Sequence, residues 1–196
     1  MDTKALHDLA VESITAGFGA IRRRCGDEQM YGFALGLVED ITGFFCAGNT
    51  LEALGRKVEN QDLEQEDIVY LAWAASEWEY QDHQYLDVGQ ASRVRRFVTA
   101  EYEKGTPVGE RDGGYFEAFT RQYHETLIEA LKTCDRDGLF GTGEERENLV
   151  VFLDSVDDAY PDLMEISSAR INPELSHQWI VEYTQRVLHP EDDRGP

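Results

Sequence analysis

Apolar residues recur at helical spacing over the first two dozen positions. Leu6, Leu9, Ala10, Ile14, Gly17 and Ile21 fall on one stripe, which predicts a helix over roughly residues 4–24. Arg22, Arg23 and Arg24 close it, where cations suit the carbonyl end of a helix dipole. The period then changes. YGFALGLVEDITGFFCAG reads as a β-hairpin with its turn at Glu39-Asp40, placing Tyr31, Phe33, Leu35, Leu37, Phe44 and Cys46 on one face. Gly32, Ala34, Gly36, Val38, Ile41, Gly43 and Phe45 occupy the other. With both faces apolar, the hairpin is expected to be central and covered on both sides. The small residues of the second face leave room for a helix backbone to approach.

Asn49-Thr50-Leu51-Glu52 has the form of a helix start, with Glu52 reaching back to the cap and the helix running to about Val58. Ile68 to Trp73 is expected as a third strand, followed by a helical turn opened by a Ser76…Glu79 capping box. Ala91, Val94, Phe97 and Val98 mark a helix near 90–103, and Gly105 to Gly114 is a loop. Phe116, Phe119, Tyr123, Leu127, Ala130 and Leu131 mark a longer helix over 115–133. DRDGLFGTG is a turn, Leu149 to Leu153 a fourth strand, and two helices follow near 158–169 and 174–188. The last is opened by Asn172 as cap and Pro173 at the first helical position. The expectation is an α+β fold: a mainly antiparallel sheet of about four or more strands with helices packed around it. One domain spans 1–189, and 190–196 form a flexible tail.

Composition narrows the partners. With 41% hydrophobic residues the chain can bury a core. Its formal net charge of -21 disfavours nucleic acid and anionic membrane surfaces, favours solubility and admits a basic protein partner. No apolar run is long enough to span a bilayer, and the N-terminus lacks the features of a signal peptide, so a cytoplasmic location is expected. Cys25, Cys46 and Cys134 are isolated from one another, which predicts buried free thiols instead of a disulfide framework or a zinc site.

No catalytic, cofactor-binding or metal-binding constellation stands out. FGTGEER follows a helix and lacks the Lys-Ser/Thr of a phosphate loop. A calcium loop starting at Asp135 would set Leu139, Phe140 and Arg146 where an oxygen ligand, a glycine and a glutamate are required. Glu79 with His83, and His124 with Glu129, could meet on helix faces, but two ligands do not make a metal site. No nucleophile elbow occurs. What remains is an aromatic and acidic segment free of Lys and Arg. Tyr70, Trp73, Trp78, Tyr80 and Tyr85 interleave there with Glu77, Glu79, Asp82 and Asp87. Aromatic anchors and carboxylates suit a basic protein surface. Trp78, Glu79, Tyr80, Asp82, Tyr85 and Asp87 are the candidate partner-binding residues, and Trp73 is read as core.

The order of YGFALGLVED, the Asn-Thr helix start, WAASEWEY and SSARINPE resembles the bacterial domain-of-unknown-function family 4303. The segments that carry this resemblance are Trp73…Ser76-Glu77-Trp78-x-Tyr80 and Glu165…Ala169-Arg170-x-Asn172-Pro173. The resemblance implies no reaction. By analogy with other small acidic α+β families it suggests an immunity-like role. The residues themselves read as structural, with Ser76 and Asn172 capping helices and Arg170 pairing with a buried or semi-buried acid. The leading expectation is therefore a non-catalytic protein-binding module engaging a basic partner through 64–87. The alternative is a small-molecule-binding or hydrolytic protein with a pocket beside the sheet.

Overall fold

The computed structural model describes residues 1–37, 43–59, 62–84, 89–105, 113–156 and 159–185. Helix α1 (Thr3–Cys25) opens where the Asp2 carboxylate accepts the Ala5 N–H at 3.0 Å, and it buries Leu6, Ala10, Ile14, Gly17 and Ile21 of the stripe expected from the sequence, with Leu9 partly buried. Strands β1 (Met30–Leu37) and β2 (Phe44–Thr50) pair antiparallel, with Leu35 opposite Cys46 and Leu37 opposite Phe44. The hairpin is as expected and its faces alternate as expected, but the register is two residues away from the one a Glu39-Asp40 turn would give, which would set Leu35 opposite Phe44; the turn itself lies outside the described residues. Tyr31 departs from the expected face. The register shifts between Met30 and Gly32, and this irregularity puts the Tyr31 ring 5.5 Å from that of Trp73 and 6.3 Å from that of Trp78.

β2 runs directly into α2 (Leu51–Glu59), where Thr50 Oγ1 accepts the Ala53 N–H at 3.0 Å. Glu52 does not return to Asn49; its carboxylate accepts the Gln29 N–H instead. The strand expected over Ile68–Trp73 is a helix, α3 (Gln65–Trp73). Asp67 accepts the Glu64 backbone N–H at 3.2 Å and fixes the helix start, a signal that outweighs the short apolar run. No helix begins at Ser76. A tight 3-10 turn over Ala75–Glu77 leads instead into the two-residue strand β3 (Tyr80–Gln81), paired antiparallel to β2.

Helices α4 (Gly89–Gly105) and α5 (Gly113–Arg136) follow, then the four-residue α6 (Glu144–Glu147) and strand β4 (Val150–Ser155). β4 lies parallel to β1, with Phe33 opposite Val151 and Leu35 opposite Leu153. The sheet order is β3-β2-β1-β4. The fold is α+β with a four-stranded mixed sheet: the antiparallel expectation holds from β3 to β1 and fails at β4. The long helical connection carries the chain back to the starting end of β1, so its next strand runs parallel.

Helix α7 (Leu163–Ile171) closes the outer edge of β4 with side chains. Ser167 Oγ accepts the Leu153 N–H at 2.9 Å, and the Asn172 carboxamide bonds both backbone groups of Val151 at 2.8 Å each. Asn172 therefore satisfies a sheet edge and does not cap α8 (Glu174–Tyr183), whose preceding residue is Pro173. Buried Arg146 adds bonds to the carbonyls of Leu149 and Ile171 and to the Asp135 carboxylate.

The core has two compartments. The larger joins α1, α4 and α5 to Phe33, Leu35, Leu37, Cys46, Val151 and Leu153. The smaller gathers Trp78, Phe152, Met164, Ile180 and Tyr183 around Ala34 and Ala47. The small strand residues on this second face receive rings, not a helix backbone. A Cβ on Gly32 would stand 2.7 Å from Trp78 Cη2, and one on Gly36 would collide with the Phe45 ring. All three cysteines are buried and free.

Candidate functional site

The segment singled out in the sequence folds as α3, the 3-10 turn, β3 and a further turn over Asp82–Gln84. Four of its six expected binding residues are described, and three of those four are interior. Trp78 is 3% exposed; its ring fits the space left by Gly32, and its indole N–H donates to the Ala72 carbonyl at 3.1 Å. Tyr80 is buried, with its hydroxyl donating to Glu28 at 2.8 Å and accepting from Arg56 at 3.1 Å. Burial, then the bond to Glu28, raise the Tyr80 phenol to about 12. Asp82 is buried beside Cys46, and desolvation raises its carboxyl above the ordinary range. One of its oxygens, Oδ1, has no hydrogen-bond partner among the described residues. Glu79 is half exposed and paired with Arg56 at 3.0 Å, and Glu77 is paired with Lys57 at 2.9 Å. Tyr85 and Asp87 lie outside the described residues.

Arg56 of α2 is the hub of this edge. It also reaches Glu28, whose carboxylate accepts from Thr50 as well, and the Arg56 guanidinium is the leading reason that the Glu28 pKa falls to about 2. The network ties α2 to the turn before β1 and to β3. It is a brace, with its carboxylates already engaged.

The residues that do face outward lie one helix turn away, where α3 meets α8. Trp73, half buried, has its ring 6.5 Å from that of Trp179 on α8, and Trp179 is 41% exposed. Tyr70 stands three residues before Trp73 and is 43% exposed; Leu175 stands one turn before Trp179 and is 72% exposed. Glu64, Glu66, Asp67, Glu174 and Glu182 are exposed on or beside the same two helices, neither of which carries Lys or Arg. The sequence reading named Tyr70 but missed Trp179 and Leu175. Their signal was present: they are four apart on a helix whose buried stripe is Ser176, Ile180 and Tyr183.

The histidine pairs do not form. Glu79 and His83 do not share a helix, and His124 packs edge-on against Tyr160 at 4.8 Å instead of meeting Glu129. Burial lowers the His124 pKa to about 4. Among the described residues no group of three or more His, Cys, Asp or Glu could hold a metal ion, and no helix is long and apolar enough to cross a membrane.

The family model of the domain of unknown function DUF4303 matches residues 11–173. The chain belongs to the DUF4303 family. No curated protein and no solved structure matches it. In this DUF4303 chain both segments that carry the resemblance have structural work. Trp73 to Tyr80 lays two indoles on the sheet, and Ser167 to Pro173 closes the edge of β4. Arg170 reaches Glu125 and Glu129 on α5, whose side chains are 53% and 50% exposed, where a buried or semi-buried acid was expected.

Proposed function

We propose that this chain is a protein-binding module without a reaction of its own, immunity-like in that it captures a basic protein partner. The observation that carries the reading is the α3–α8 face: exposed Tyr70, Trp179 and Leu175 around Trp73, bordered by acids on helices free of Lys and Arg. Tyrosine and tryptophan give large contact areas at small entropic cost and dominate interface hot spots. The surrounding carboxylates, and a net charge of -21, steer cationic surfaces toward them. This reading keeps the acidic and aromatic character expected of residues 64–87 and moves the contact from Trp78 and Tyr80 to Tyr70 and Trp179.

Affinity capture from the native cell supplies the partner, and titration of that partner supplies the test. Binding weakens steeply as salt shortens the range of the field from about 10 Å at 0.1 M toward about 3 Å at 1 M. The Tyr70→Ala/Trp179→Ala variant loses capture while retaining its circular dichroism. Salt-independent binding, or full capture by the folded double variant, would refute the proposal.

A further inference from the structure

The α3–α8 face sets an open indole beside carboxylates that have no partner. Trp73 is backed by the interior, its ring 5.5 Å from that of Tyr31 and 6.3 Å from that of Phe152. Trp179 meets Trp73 at 6.5 Å, tilted by 48°, and has no other ring neighbour among the described residues. Its indole N–H makes no hydrogen bond among them either, whereas that of Trp78 is satisfied inside. Helical spacing runs an acid into each aromatic stripe. Glu66 stands one turn before Tyr70 on α3, and Glu182 stands one turn after Trp179 on α8. Glu66, Glu174 and Glu182 are exposed, and none makes a hydrogen bond or an ion pair among the described residues. That separates them from Glu28, Glu77 and Glu79, which Arg56 and Lys57 already hold.

Resting on the reading of this face as the contact for a basic protein, we propose that it selects arginine over lysine. A guanidinium of the partner lies on the Trp179 indole and bonds a neighbouring carboxylate. A guanidinium is flat and weakly hydrated, and it stacks on an aromatic ring while its N–H groups stay in its own plane. Those donors then point sideways toward the rim, where a carboxylate without a partner can accept two of them. An ammonium is compact and strongly hydrated, and it has no flat surface to lay on the ring. The open indole N–H suits a main-chain carbonyl next to the arginine, which a protein segment has and a free cation lacks. A second copy of this chain does not fit, because the same carboxylates would face one another.

The test uses the full chain and short peptides in which glycine alternates with arginine, lysine or citrulline. Binding is followed by tryptophan fluorescence and by the NMR signals of the indole N–H groups. Arginine and lysine carry the same charge, and citrulline keeps the planar shape without it. The arginine peptide is expected to saturate below about 1 mM and to shift the Trp179 signal, while that of buried Trp78 stays in place. The lysine peptide should bind about fivefold or more weakly, the factor a cation–π contact supplies at an exposed site, and the citrulline peptide should not saturate. In Trp179→Leu, which keeps an apolar side chain, the two basic peptides should bind alike. Glu66→Gln/Glu182→Gln, two exposed substitutions, should weaken the arginine peptide about twofold or more with the circular dichroism unchanged. Equal affinity for the arginine and lysine peptides overturns the proposal, as does a preference that survives in Trp179→Leu. Saturation by citrulline, no loss in the double glutamine variant, or failure of both basic peptides to bind overturns it too. The selection of arginine then fails by itself if capture of the native partner still requires Tyr70 and Trp179. The reading of the face fails with it if Tyr70→Ala/Trp179→Ala captures in full.

Discussion

The two faces of the sheet are closed by different means. On one, long helices α1 and α5 lay regular stripes of Leu, Ile and Phe against Phe33, Leu35 and Leu153, so many residues share the burial. On the other, strand positions reduced to Gly32, Ala34, Gly36 and Ala47 are filled by a few large rings, chiefly Trp78, Phe45 and Phe152. The first arrangement spreads stability over repeated contacts and tolerates adjustment. The second concentrates it in ring-into-gap fits, where loss of one ring leaves a large void and one added carbon has nowhere to go.

The sharpest way to break this contrast is Trp78→Ala. It should cost about 3–5 kcal/mol, as large aromatic truncations in cores do, measured by urea unfolding. A loss below about 1 kcal/mol would mean that Trp78 is a surface residue after all, as the sequence reading had it. Next comes Gly36→Ala, which drives a Cβ into the Phe45 ring and is expected to cost about 1–3 kcal/mol. Gly55→Ala in α2, where a Cβ meets nothing within 4 Å, should instead stabilise by up to about 1 kcal/mol. Equal effects at the two glycines would remove the argument from fit.

Asp82→Asn is expected to stabilise at neutral pH by about 1–2 kcal/mol, because it removes a buried charge while keeping an acceptor beside Cys46. The sign follows from the raised carboxyl: the folded state holds this proton more tightly than the unfolded chain, so the ionised form is a burden that falls away on acidification. The gain from Asp82→Asn should accordingly shrink as pH falls below the folded value. A gain that persists in acid would point to another cause. Smallest is the brace at Arg56. The Glu28 pKa is depressed to about 2 from 4.5, so its contribution is present above 4.5 and lost as pH falls toward 2. Arg56→Ala should lower stability at neutral pH by less than the changes above, given the exposure of the pair, and should flatten the acid limb of the stability profile.

The larger face was legible because its elements are long and periodic. The stripes of α1 and α5, the β1–β2 hairpin with its alternating faces and the apolar fourth strand can each be read from the spacing of Leu, Ile, Val and Phe, whereas the register of the hairpin could not. The smaller face was not. Ile68 to Trp73 is too short for periodicity to separate strand from helix, and the decision came from a local bond between Asp67 and the Glu64 N–H. Glycines on β1 announced a close approach but not its occupant, since a helix backbone and an indole need the same space. The candidate site shifted for the same reason. Trp78 and Trp179 are the same residue type in similarly acidic surroundings, and only packing buries one and exposes the other.

The sequence by itself determined an acidic α+β chain with a central hairpin, three buried thiols and an aromatic segment devoid of cations. Each of these depends on composition or on neighbours along the chain. Only the tertiary structure decided that β4 pairs parallel to β1 and that Asn172 closes the edge of β4. These features join residues far apart in the chain. Their energies come from which groups meet once water is excluded, and no local pattern records that.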